Sequence, residues 1–135
     1  MSLLHFRRTF VEKLFTIHGK IEQYLKDGKP LGTYARHYYD LYMLAQRAEV
    51  PAMLRSEEYE QLRLDYDRVS RTHFPKHYIP PEGMRFNQSA ALFPTGELRT
   101  MVSGEYKRQC QLLCFGDHPS WEKIEECFST LKDLI

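Results

Sequence analysis

Residues 10–25 read FVEKLFTIHGKIEQYL. Apolar side chains return at Phe10, Leu14, Ile17, Ile21 and Tyr24/Leu25, the spacing of threes and fours that lines one face of an α-helix. The pattern predicts a first helix ending near Asp27-Gly28. From Lys26 to Gly32 two glycines and a proline make a turn, and the rhythm restarts at Tyr34, Tyr38, Leu41, Ala45 and Ala48 as a second helix. After Val50-Pro51 a third, highly charged helix is expected from about Ser56 to Arg71, with Ser56 as N-cap and glutamates in its first turn. It should stop before Pro75.

Thr95 is expected to cap a fourth helix carrying Leu98, Val102, Tyr106, Cys110 and Leu113, closed by Gly116. Gly104 inside it costs up to about 1 kcal/mol relative to alanine and suggests a close crossing or a kink. Ser120 opens a last helix, with Trp121, Ile124, Phe128, Leu131 and Ile135 on one apolar stripe. Between Phe74 and Pro94 four prolines, a glycine and an Asn-Gln-Ser run show no period, so this stretch reads as an ordered, extended connection that wraps the helices. No strand pattern competes. The expected architecture is all-α, a bundle of about five helices with an extended connection around residues 75–94, residues 1–135 forming a single helical domain.

Composition supports a packed core: 42% of the 135 residues are hydrophobic and 13% aromatic, against 27% charged, which excludes the disordered and fibrous classes. Nineteen basic and eighteen acidic residues leave a net charge of +1, so any nucleic-acid or anionic-membrane contact must come from a local patch. No apolar run approaches the roughly 20 residues that span a bilayer, and the N-terminus lacks the apolar core of a signal peptide. A cytoplasmic protein with no membrane partner is expected. Cys110, Cys114 and Cys127 are an odd set without framework spacing, which fits free thiols in a reducing compartment.

Several constellations could carry chemistry. Arg36 and Asp40 stand four residues apart on the second helix, close enough to meet; by itself such a pair is a surface salt bridge worth a few tenths of a kcal/mol. Tyr34, Tyr38, Tyr39 and Tyr42 crowd the same short stretch, and phenol rings can stack on bases while their hydroxyls anchor polar groups. Arg7, Arg8, Lys13 and Lys20 give the first helix a basic tone, and they form a phosphate-facing patch only if the tyrosine-rich helix packs alongside. Asp65 and Asp67 make an isolated Asp-x-Asp, but on a helix they point apart, so no metal ligands are assigned. Arg68 and His73 match the Arg-x4-His of the helical HEPN ribonucleases, with Arg71 and His77, one residue further apart, as a second such pair. Cys110, Cys114, His118 and Cys127 could be drawn as a zinc site, although the spacing matches no common zinc module and buried structural cysteines fit the helix stripe better.

Three motifs in order resemble the helical C-terminal half of the AbiEii/AbiGii family, the nucleotidyltransferase toxins of type IV toxin–antitoxin and abortive-infection systems. Arg8-Thr9-Phe10-Val11-Glu12-Lys13-Leu14, with His18 a helical turn on, is similar to the family's "R-T-F-W-E-K-L…L-H" entry. Ala35-Arg36-His37-Tyr38-Tyr39-Asp40-Leu41 resembles the last catalytic motif of one branch, and Phe115-Gly116-Asp117-His118-Pro119-Ser120-Trp121-Glu122 that branch's "F-G-E-x-P-S-F-D-E" ending. The resemblance implies a two-lobed enzyme that transfers a nucleotidyl group from a nucleoside triphosphate with Mg²⁺, to RNA or protein. It assigns Lys13 and Asp40 to the catalytic cleft, and beside them Arg36, His37 and Tyr39 are the candidates for nucleotide or phosphate binding. An ammonium can neutralise triphosphate charge as the leaving group departs, and a carboxylate can orient that lysine. Other branches carry an acidic residue where this chain has His37.

The family's Gly-Ser loop and metal-holding strand have no counterpart in this sequence. The expectation is therefore a helical lobe that contributes cleft residues, is inactive alone, binds Mg²⁺ and nucleotide only weakly by itself, and is completed by a missing N-terminal catalytic lobe, as a truncated product or separate subunit. A cognate antitoxin, an RNA acceptor and a second copy are the other partners considered. The alternatives are a protein-interaction or self-association module and, third, a HEPN-type ribonuclease.

Overall fold

The computed structural model of the chain describes residues 3–76, 78–113 and 118–135. Among the described residues there are six α-helices, two short 3₁₀ turns and no strand. They are α1 (Leu3–Asp27), α2 (His37–Ala45), α3 (Glu49–Leu54), α4 (Glu57–His73), α5 (Gly96–Leu113) and α6 (Trp121–Leu131). The 3₁₀ turns are Gly32–Arg36, which leads directly into α2, and Glu82–Met84. The all-α bundle expected from the apolar periods is the fold observed.

Helix α1 is the long central element. Phe10, Leu14, Ile17 and Ile21 are fully buried, and Val11, Phe15 and His18 widen the buried face beyond the stripe the sequence suggests. Leu25 leaves the core at 53% exposure, so the stripe ends one turn before the helix does. Helix α2 packs on α1 through Leu41 and Tyr38. The Tyr38 hydroxyl donates to the Ala91 carbonyl at 2.6 Å, which satisfies the phenol inside the core. On α6, Trp121, Ile124, Phe128 and Leu131 are all buried, and Trp121 lies edge-on to Tyr38 with 4.9 Å between ring centroids.

Three expectations need correction. The second helix does not run through to Ala48: it divides into the 3₁₀ turn and α2, which ends at Ala45, and α3 follows in a stretch for which no helix was expected. Pro51 lies in the first turn of α3, where its missing N–H removes no helical bond. Helix α1 starts at Leu3, two turns before Phe10, the first position of the apolar rhythm. Gly104 marks neither a crossing nor a break: α5 continues through it, and a Cβ there would meet nothing within 4 Å.

Residues 78–94 do wrap the bundle, in a less extended form than expected. Phe86, Ala91 and Leu92 are fully buried, and a turn from Phe86 to Phe93 is closed by successive backbone bonds. The Phe86 amide donates to the Ile135 carbonyl at 2.7 Å, tying this segment to the residues after α6. Arg63 on α4 donates to the Met84 carbonyl. The expected closure at Gly116, and with it Cys114 and His77, falls outside the described residues. Cys110 is buried on its apolar stripe and Cys127 is half-buried, with burial pushing its thiol up to about 11.

Candidate functional site

Lys13 and Asp40 meet. They are 27 residues apart in sequence, one on the inner flank of α1 and the other in the first turn of α2, and Lys13 Nζ donates to Asp40 Oδ2 at 3.2 Å. Roughly a quarter of each side chain is exposed, 24% for Lys13 and 28% for Asp40, so the bridge lines the surface rather than the core. Lys13 precedes Leu14 on the buried stripe by one residue, which sets its aliphatic stem against α2 while the ammonium reaches the edge.

His37 opens α2 and turns Nδ1 toward the same Asp40 oxygen, at 3.9 Å. That is too long for a hydrogen bond, and Nδ1 is buried without a partner. The ring stands edge-on to Tyr34, 5.6 Å between centroids. Burial first, then the Lys13 and Arg36 charges, push the His37 pKa down to about 4 against the opposing pull of Asp40. The imidazole is therefore neutral near pH 7.

Arg36 does not make the predicted bridge. It ends the 3₁₀ turn, is exposed, and forms no ion pair among the described residues, because the α1 lysine has taken the Asp40 carboxylate. It remains available as a positively charged donor at the rim. Tyr39 is half-buried against the core, and Tyr38 is wholly consumed by it. Of the four tyrosines only Tyr34 is exposed, and Lys20, two helical turns after Lys13 on α1, places its ammonium 4.2 Å above that ring.

The basic tone of α1 thus divides by face. Arg7 pairs with Glu58 at 2.6 Å and Arg8 with Asp65 at 3.0 Å, both on α4, whereas Lys13 and Lys20 face the 3₁₀ turn and α2. Beside Lys20 lies a groove of about 570 Å³, which the sequence reading missed. It is lined by Phe15, Tyr66, Phe74 and Tyr78, with Lys20, Lys29 and Tyr34, and among the described residues no acidic side chain takes part. The rings come from α1, α4 and the wrapping connection, so no local period could announce them.

The described residues do not fit a divalent cation. No three histidine, cysteine, aspartate or glutamate side chains cluster. Asp65 is held by Arg8 and Arg68, Asp67 by Arg71 and the Tyr78 hydroxyl, and Asp40 by Lys13. Arg68 and His73 stand five residues apart on one helix, about 140° around its axis, and the Arg68 guanidinium is engaged by Asp65, an arrangement that does not converge on one phosphate. The second such pair needs His77, outside the described residues. No helix among the described residues is long and apolar enough to cross a membrane.

A family model described as nucleotidyl transferase AbiEii toxin, type IV TA system, matches residues 1–129. No curated protein and no solved structure matches the chain.

Proposed function

Because the chain belongs to the AbiEii nucleotidyl transferase toxin family of type IV toxin–antitoxin systems, we propose that its helices form the lobe that grips the triphosphate of a nucleotide. Lys13 supplies the positive charge that neutralises the departing pyrophosphate, Asp40 holds that ammonium in place, and Arg36 adds a charged donor at the rim. The carboxylates that would hold Mg²⁺ and the loop that would hold the phosphates belong, in this reading, to a catalytic lobe outside residues 1–135. In this reading the setting is cytoplasmic and a cognate antitoxin is a candidate partner. The aromatic and basic groove beside Lys20 suits an RNA acceptor, since rings stack on unpaired bases and ammonium groups neutralise the backbone.

The observation that carries the reading is the 3.2 Å contact between Lys13 and Asp40, which brings two separate family motifs to one point at the surface. Titration calorimetry of the purified chain with ATP and GTP in magnesium buffer tests it. The isolated lobe should bind weakly, with Kd near about 1 mM. Lys13→Ala should weaken binding by about tenfold or more, the worth of a charge-assisted contact. Absence of binding to the unmodified chain, or equal binding by Lys13→Ala, would sink the proposal.

A further inference from the structure

Histidine is an odd neighbour for a phosphate grip if it carries no charge. The His37 ring is fixed on both sides: Tyr34 stands edge-on to it at 5.6 Å, and its Nδ1 faces Asp40 Oδ2 at 3.9 Å. From α1 the Lys13 ammonium reaches that same oxygen, and Arg36 adds its charge from the preceding residue. A neutral imidazole has one N–H and one lone pair. Nδ1 is the nitrogen turned to the carboxylate, 3.9 Å away, so the N–H is assigned there on electrostatic grounds and the lone pair to Nε2; the side chain keeps 20% of its surface open. Neither ring nitrogen makes a hydrogen bond among the described residues.

A lone pair at this position does not attract phosphate, whose oxygens are acceptors at neutral pH. It accepts from O–H or N–H. In a nucleotide whose phosphates lie on Lys13, the nearest hydroxyls along the molecule are those of the sugar. We propose that His37 is the specificity-determining residue of this cleft, accepting a hydrogen bond from a ribose hydroxyl and so favouring ribonucleotides over deoxyribonucleotides. The inference rests on the reading of Lys13 and Asp40 as a nucleotide cleft.

The test compares ATP with 2′-deoxy-ATP and 3′-deoxy-ATP by calorimetry on the unmodified chain, on His37→Phe, which keeps the ring against Tyr34, and on His37→Asn, which keeps an acceptor. The chain should prefer ATP over one deoxy analogue by about tenfold, the worth of one buried hydrogen bond. The ratio should fall to near one in His37→Phe and be partly restored in His37→Asn. It should also hold from pH 8 to pH 6, where a cationic clamp would instead tighten all three ligands as protons are added. Equal affinities for all three nucleotides, with binding still lost in Lys13→Ala, overturn the role of His37 and leave the cleft standing. No binding of any nucleotide overturns both.

Discussion

Burying a histidine is costly unless its ring finds partners, and His18 on α1 finds them: Nδ1 and Ser89 Oγ are 2.7 Å apart, both side chains being almost wholly enclosed. Ser89 in turn accepts from the Ala91 amide at 3.2 Å, so one hydroxyl fastens the wrapping connection to the central helix. Burial lowers the pKa of His18, opposed by Glu22 and the Pro80 carbonyl, and that of His37 falls to about 4. Unfolding lets both rings take up a proton near pH 6.5, so the unfolded chain binds more protons below that value. The stability this confers is complete above about pH 6.5 and is lost as the pH falls below it, for His37 down to about 4, at a slope of up to about 1.4 kcal/mol per unit for each ring. Thermal melts from pH 8 to pH 5 should show Tm falling by several degrees, less steeply in His37→Phe. A flat profile would mean that neither ring is held neutral.

At the scale of the element, the junction between α3 and α4 rests on Ser56. Its hydroxyl donates to the Met53 carbonyl at 2.7 Å and accepts from the Glu58 amide at 3.3 Å, closing one helix and opening the next. Glu57, Glu58 and Glu60 add negative charge where the helix dipole favours it. Ser56→Ala should cost about 1–2 kcal/mol, read as a lower urea midpoint with unchanged slope. Capping of this kind was legible because it depends on residues two or three apart, and Ser120 before α6 follows the same rule. The division of the second helix was not legible. Pro51 can mark either the end of one helix or the first turn of the next, and only the packing of Val50, Met53 and Leu54 into the core selects the second.

Across the whole molecule, Phe86 holds the wrap in place. Its ring meets Phe15 and His18 edge-on at 5.0 and 5.9 Å, while its amide reaches the Ile135 carbonyl. Phe86→Ala should cost about 3–5 kcal/mol, a large share of the 5–15 kcal/mol typical of a domain, and lower Tm by more than any other substitution considered above. Circular dichroism melts would check this; a change of only a few degrees would show that the wrap is dispensable. Long-range ties also explain what of the site could be foreseen. Lys13 and Asp40 stood out by resemblance, and only the fold brings them to 3.2 Å. The local pairing of Arg36 with Asp40 failed because four-residue spacing permits a contact without requiring it, and α1 supplied a competitor. The groove by Lys20 depends on three separate segments and left no trace in any one of them.

Trp121 is the chain's single tryptophan, and it rests against Tyr38, on the helix whose neighbouring residues His37 and Asp40 belong to the candidate site. Any movement of α2 on meeting a ligand changes what surrounds that indole. The protein therefore carries its own optical gauge: its emission, excited at the red edge where tyrosine does not absorb, reads the buried side of the helix that carries the candidate site, with no dye attached.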